Sequence, residues 1–498
     1  MITIHVGALT VDEVVAVARG GEAVQLGEDA VAAMEASRAI IDALAEDPRP
    51  HYGVSTGFGA LATQHIPLEK RQQLQRSLVR SHAASSGPEV EREVARATML
   101  LRLSTLATGR TGVRPVIAQS YADLLNAGIT PVIGEYGSLG CSGDLAPLAH
   151  CALAIMGEGP VRVDGRLLDA SEVVAHPVVL QEKEGLALIN GTDGMLGMLS
   201  LALTDLEDLL TTADLAAAMS VEGLAGTDRV FAEDLQALRP HPGQAVSAAN
   251  MRAVLEGSGA IASHVTNGFT RVQDAYSLRC APQVHGAARD TVAHARLVAD
   301  RELASAIDNP VVTLDGRVES NGNFHGAPVG YVLDFLAIAV ADVASMSERR
   351  TDRFLDKARN GGLNAFLAHD PGVDSGHMIA QYTQAAIVSE LKRLAAPASV
   401  DSIPTSAMQE DHVSMGWSAA RKLRRSIDGL QRVLAIELMT AARGIEMRGE
   451  TPAPVSAAVI ERLRRDVPGA GPDRFLAPDI EATVRLVMNG ELLGSSGL

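Results

Sequence analysis

Apolar residues along this chain recur mostly at helical spacing. Leu196, Leu199, Leu203, Leu206 and Leu210 repeat at alternating steps of three and four, the seam of a long packed helix. Leu333, Leu336, Val340 and Val343 follow the same rule, as do Leu423, Ile427, Leu430 and Leu434, and a fourth helix is predicted from about Met378 to Leu394. Thr10-Val11-Asp12-Glu13 has the form of a capping box and predicts the start of a first helix. Long helices with apolar seams cannot stand alone in water, so the pattern predicts a central antiparallel bundle and an all-α fold. Period-two alternation is scarce. Asp164-Gly165 and Asp315-Gly316, each between short apolar runs, predict two small hairpins.

Composition narrows the class. At 498 residues the chain is long enough for about three domains and needs no disulfide or metal staple. Hydrophobic residues at 47% and charged residues at 21% exclude wholesale disorder. A net charge of −17 argues against a broad nucleic-acid surface or an anionic membrane face. Cys141, Cys151 and Cys280 are too few for a disulfide framework, which points to a reducing compartment. The N-terminus lacks the basic and apolar regions of a signal peptide, and no run of about 18 consecutive apolar residues predicts a membrane span. The expectation is a soluble, acidic, cytoplasmic protein.

Common chemical motifs are missing from the sequence. There is no Gly-x4-Gly-Lys phosphate loop, no dinucleotide fingerprint in a βαβ setting and no His-Glu-x-x-His metal pair. Cys141-Ser142-Gly143-Asp144 is not a nucleophile elbow, because position 144 is Asp where the elbow needs Gly. What the chain has instead is long polar connections at residues 51–59, 134–144, 190–194, 273–286 and 321–326, rich in Gly, Ser, Asn and His. Long ordered loops in a helical protein usually carry function.

The most informative of these places glycines at 134, 137, 140 and 143, so its backbone can fold tightly on itself. Read alone it is a glycine-rich turn capped by Asp144, with Pro147 in the first turn of the next helix. Its neighbours say more. Together with Tyr52-Gly53-Val54-Ser55-Thr56-Gly57-Phe58-Gly59, Asn190-Gly191-Thr192, the block from Gln273 through Tyr276 and Arg279 to Val284, Asn321-Gly322-Asn323-Phe324-His325-Gly326 and Gln409-Glu410-Asp411-His412, it resembles the aromatic amino acid ammonia-lyases over essentially the whole chain.

The resemblance implies a fumarase/aspartase-like long-helix bundle. A domain at 1–195 carries the cofactor-forming loop, and the bundle and C-terminal helices occupy 196–498. It implies that Cys141, Ser142 and Gly143 cyclise autocatalytically to 4-methylidene-imidazol-5-one (MIO), with no metal or nucleotide needed. Gly143 N attacks the carbonyl carbon of residue 141, and Ser142 loses its hydroxyl to leave a methylene. Tyr276 is the family's candidate general base, and Tyr52 and Glu410 join it among the catalytic positions. Arg279 supplies a planar fork for a carboxylate. Asn190, Gln273 and Phe324 resemble positions that orient the substrate or wall its pocket. The family forms homotetramers whose chains share each active site.

Ring identity is expected to rest on His82 and Glu410. Ser81-His82 resembles the histidine-using branch of the family, and Glu410 stands where the phenylalanine and tyrosine branches usually carry a neutral side chain. A carboxylate and an imidazole can clamp another imidazole, whereas a phenyl ring would leave both unpaired at about 1–3 kcal/mol each. The implied reaction is L-histidine to trans-urocanate and ammonia, the opening step of histidine degradation. A tyrosine or phenylalanine lyase, an aminomutase on the same scaffold, and a catalytically silent helical assembly are the alternatives. Asp193 and Ala327 depart from the residues the family often has there, and His285 has no role in this reading.

Overall fold

A computed structural model describes residues 1–266 and 272–498 of the chain. About 59% of it is helical, against roughly a third in an ordinary domain. The strands described are at most 4 residues long and pair only in small two- and three-stranded sheets. The all-α expectation holds.

The long helices form where the apolar seams predict them. Asp193–Gly223, Ala327–Leu355 and Gly416–Arg448 carry the three seams, and every seam residue named above is buried. Burial of each such side chain stabilises the fold by about 1.5–3 kcal/mol. Met378–Leu394 forms the fourth helix. Thr10 caps Val11–Ala18 with both halves of the capping box in place. Both hairpins form, Pro160–Val163 with Arg166–Asp169 and Val311–Val312 with Val318–Glu319.

One expectation changes. Residues 273–286 are not one long loop, because Tyr276–Arg279 and Ala281–Leu303 are helices. Pro282 sits in the first turn of the second, where its missing N–H has no intrahelical partner to lose. The helix Ala327–Leu355 contains a stretch of mean hydropathy 1.7, long and apolar enough by composition to cross a membrane, although the sequence suggested none. Of that stretch 61% is buried inside the protein, as a core helix requires.

The chain divides into two compact units. One comprises Met1–Thr204, Ala295–Asp334 and Pro397–Arg421, and it contains all the strands described. The other comprises Asp205–His294, Phe335–Ala396 and Lys422–Leu498, and its described elements are all helical. Within this second unit His285 finds its place: its Nδ1 meets Asp214 Oδ1 at 2.8 Å, and Asp214 Oδ2 accepts from Arg289 at 2.6 Å and Asn250 at 2.9 Å. Burial would raise the Asp214 carboxyl, but the hydrogen bond and charge of His285 and the Arg289 guanidinium pull it below its ordinary range. His285 is a buried structural histidine.

Candidate active site

In the first unit, the glycine-rich loop is fixed from several sides by distant segments. Gly140 O accepts from Gly326 N at 2.9 Å and from Ser414 Oγ at 2.7 Å, and Leu139 O accepts from Met415 N at 2.8 Å. Asp144 N donates to Gly191 O at 2.7 Å. Gly143 lies against the same Gly191 backbone with φ +75°, and a Cβ at 143 would stand 2.0 Å from Gly191 O. Only glycine fits that space, and the left-handed conformation favours it as well.

Asp144 begins the helix Leu145–Ile155 but does not cap it with its side chain, which corrects the expectation from sequence. Its carboxylate faces away from that helix, accepting from Ser138 Oγ at 2.7 Å and Met195 N at 2.9 Å. Complete burial pushes the Asp144 carboxyl up to about 7, against the pull of these donors. Behind it, buried Arg102 binds Asp193 at 3.0 Å and donates to Ala187 O and Ile307 O, tying the Asn190 loop to the segment near residue 308. Asp193, one of the two departures from the family pattern, is thus the counter-ion of Arg102.

A cavity of about 370 Å³ opens over the loop. Tyr52, Cys141, Ser142, Phe324 and Glu410 line it, and all five are residues singled out from the sequence. The Glu410 carboxylate touches the loop directly. Ser142 Oγ donates to Oε1 at 2.7 Å, while Cys141 Sγ and Thr405 Oγ1 donate to Oε2 at 3.1 and 2.9 Å. Burial, followed by the Glu410 hydrogen bond and charge, pushes the Cys141 thiol up to about 12, so this cysteine stays neutral. Tyr52 Oη accepts from Gly59 N at 3.3 Å, and burial raises its phenol above the ordinary value despite that bond.

Glu410 is delivered by an unusual turn. Thr405 and Glu410 bridge backbone to backbone around Ser406, Ala407 and Met408, whose φ values are +52°, +51° and +69°. Consecutive left-handed residues other than glycine cost on the order of 1–2 kcal/mol each, and such strain collects at functional positions.

His82 and Asn190 stand beside the cavity without lining it. His82 ends the helix Arg71–His82 with Nδ1 committed to Leu78 O at 2.9 Å. Burial lowers its pKa, and the Leu78 bond and the Glu410 charge oppose that shift, so Glu410 is near enough to act on it. Asn190 is buried, and its Nδ2 donates to Asn309 O at 3.1 Å. Gln273, Tyr276 and Arg279 belong to the second unit. There the Arg279 guanidinium lies 4.6 Å over the Tyr276 ring, and its buried Nε has no hydrogen-bond partner among the described residues.

Some site residues escaped the sequence. Asn309 and Ser320 line the cavity, and so do His325 and His412, whose rings stack with centroids 5.8 Å apart. The two histidines lie inside motifs that the sequence did flag. Lys183 and Asp308 form a fully buried ion pair, and Asp308 Oδ1 accepts from Asn309 N at 2.7 Å, placing the carbonyl that holds Asn190. Nothing local marks either charge as buried.

A profile of the family described as aromatic amino acid lyase matches residues 9–465. The chain belongs to this family. It is 66% identical to the histidine ammonia-lyase of Streptomyces avermitilis, over 99% of this chain and 98% of that protein. Among solved structures, the tyrosine aminomutase of Streptomyces globisporus superposes with a TM-score of 0.95 at 38% identity, covering 100% of this chain and 98% of that one. The histidine ammonia-lyase of Trypanosoma cruzi gives 0.91 at 37% identity, covering 100% and 95%. As an aromatic amino acid lyase, the chain has the all-α fold of these structures, and the cavity over residues 141–143 is its candidate active site.

Proposed function

We propose that this lyase acts on L-histidine, eliminating ammonia without oxidation to give trans-urocanate, as a histidine ammonia-lyase at the opening step of histidine degradation. The observation that carries the reading is the Glu410 carboxylate, which lines the cavity against Ser142 while its charge reaches His82. An imidazole ring brings nitrogen atoms to those two groups. A phenyl or phenol ring leaves one or both without a partner in a desolvated pocket, which disfavours it by about 1–3 kcal/mol per group. The Streptomyces relative, named for histidine at 66% identity, supports the same choice.

Residues 141–143 fit a precursor of MIO. Gly143 lies against Gly191 with no room for a Cβ, in a left-handed conformation that favours glycine, and Ser142 presents its hydroxyl to a carboxylate. Cyclisation joins Gly143 N to the carbonyl carbon of Cys141, and that oxygen leaves as water with the amide protons of Gly143 and Ser142, leaving a double bond from the same carbon to Ser142 N. A second water takes the Ser142 hydroxyl together with the proton on its Cα. The group so formed supplies a strong electrophile for the elimination. Around it, Phe324 walls the cavity and Asn190 is oriented through Asn309. Tyr52 serves as a catalytic hydroxyl at the cavity wall.

Gln273, Tyr276 and Arg279 complete the proposed machinery, with Tyr276 taking the β-proton and Arg279 gripping the substrate carboxylate. We place them at the site of a neighbouring chain in a homotetramer. Tyr276 is 69% exposed, and the helix Ala327–Leu355 leaves Tyr331, Phe335 and Ile338 exposed at helical spacing, an apolar stripe suited to another copy of the chain. Three free cysteines and a net charge of −17 support a cytoplasmic enzyme with no nucleic-acid or membrane partner. Incubation of the purified protein with L-histidine is expected to release urocanate and ammonia in equal amounts; neither product appearing would reject the reading.

A further inference from the structure

We propose that Thr405 and Cys141 are positioning residues that decide which oxygen of Glu410 meets the substrate ring, and that maturation of Ser142 is what exposes it. The inference rests on the proposed reaction, with residues 141–143 as the MIO precursor and L-histidine as substrate.

The Glu410 carboxylate is held unequally. Oε2 accepts from Thr405 Oγ1 at 2.9 Å and from Cys141 Sγ at 3.1 Å, whereas Oε1 accepts from Ser142 Oγ at 2.7 Å. Maturation treats these donors differently. Thr405 keeps its hydroxyl, and Cys141 keeps its side chain, because ring closure uses only its carbonyl carbon. Ser142 loses its Oγ: the Cβ–Oγ bond breaks, the proton on Cα leaves, and the oxygen departs as water while Cα and Cβ become doubly bonded. Oε2 therefore stays clamped and Oε1 loses its donor. A carboxylate oxygen at a cavity wall with no donor is an acceptor for an N–H, and a charge-assisted bond of this kind is among the stronger ones a protein makes. In the unprocessed chain the same oxygen is capped by the precursor's own hydroxyl. One dehydration thus makes the electrophile and opens the ring-binding acceptor together.

The backbone supports the clamp. Thr405 N donates to Glu410 O at 2.9 Å, Glu410 N returns to Thr405 O at 3.3 Å, and the left-handed run Ser406, Ala407 and Met408 folds the chain back so that the two side chains meet. The thiol adds a donor that an alanine at 141 would not supply. The bulk of Cys141 is small and buried, so its replacement by alanine removes the donor with little else.

The test uses two non-reactive acids, imidazolepropionate and phenylpropionate, whose binding to the full-length matured enzyme is measured by calorimetry alongside the intact mass. Thr405→Val is expected to keep the two-water mass loss and to weaken imidazolepropionate binding about tenfold while leaving phenylpropionate unchanged. Thr405→Ser should restore the parent affinity. Cys141→Ala should weaken the imidazole acid by a smaller factor, and the double variant by more than either alone. Unchanged imidazolepropionate affinity in Thr405→Val would overturn the proposal, and so would equal weakening of both acids, which marks a merely structural role. A parent protein that lacks the mass loss, or that does not bind imidazolepropionate, contradicts the underlying reaction instead.

Discussion

Glu410 Oε1 accepts the Ser142 hydroxyl at 2.7 Å across 268 positions of sequence. The two residues come from the motifs that carry different parts of the proposed chemistry, the electrophile and the recognition of the ring. Their contact means that the side chain lost during cofactor formation is the one facing the group that reads the substrate. The fold achieves this by pinning both segments: Gly140 and Leu139 are tied to Ser414 and Met415, a few residues beyond Glu410.

Ser142→Ala is expected to abolish turnover and the two-water mass loss while leaving helicity and thermal unfolding near the parent, because the methylene forms from the Ser142 Cβ only when the hydroxyl leaves as water. Gly143→Ala should also block maturation, and should in addition destabilise the protein. Its Cβ meets the Gly191 backbone oxygen at 2.0 Å, so backbone must move, at roughly 1–3 kcal/mol. Intact mass and urea unfolding check both variants. Full activity in Ser142→Ala would remove MIO from the account.

Glu410→Gln and His82→Leu are expected to lower kcat/KM for L-histidine at least tenfold, about 1.4 kcal/mol or more of transition-state stabilisation, with little change in unfolding midpoint. Both side chains are only partly buried, so neither substitution leaves a core cavity. Normal histidine kinetics in both variants would end the ring-recognition argument.

Arg279→Lys should lower kcat/KM by roughly 10–100-fold, since an ammonium cannot reproduce the guanidinium fork or its stacking on Tyr276. Steady-state kinetics with L-histidine measure it. An unchanged value would take Arg279 out of the site.

His377 predicts part of the acid sensitivity. It is buried beside Thr440, with Nδ1 3.1 Å from Oγ1, and burial together with the charges of Arg443, Arg474 and Arg464 lowers its pKa to about 3. The unfolded chain takes up a proton near pH 6.5 that the folded chain refuses, so stability is lost as pH falls from there toward about 3. Between pH 7 and pH 5 this amounts to roughly 2 kcal/mol. Urea unfolding at the two pH values should show a loss in the parent that is smaller by about that amount in His377→Gln. Equal losses in the two proteins would contradict the assignment.

What the sequence made legible was local or periodic. Thr10 and Glu13 define a cap within one turn, Met378–Leu394 follows from its apolar spacing, and Asp164-Gly165 specifies its own hairpin. The motif around Tyr276 was recognisable while its conformation was not, because Ala275, just before the first helix, and Pro282, in the first turn of the second, read equally well as loop residues. The site followed the same division. Ser142, Glu410, Phe324 and Tyr52 sit in compositionally unusual blocks and meet in one cavity. Lys183 and Asp308 were invisible, since 125 positions separate them and only burial turns two ordinary charges into a pair that sets Asn309. Thr405 was missed for a related reason: the turn that brings it to Glu410 uses serine, alanine and methionine in conformations usually reserved for glycine.

The most direct measurement follows the ultraviolet absorbance of a conjugated acrylate when the purified protein is mixed separately with L-histidine, L-tyrosine and L-phenylalanine. Growth of the urocanate band is expected with L-histidine, and no comparable product from the other two. Turnover of tyrosine or phenylalanine in preference to histidine would contradict the role given to His82 and Glu410, and no product from any of the three would contradict the proposed lyase activity itself.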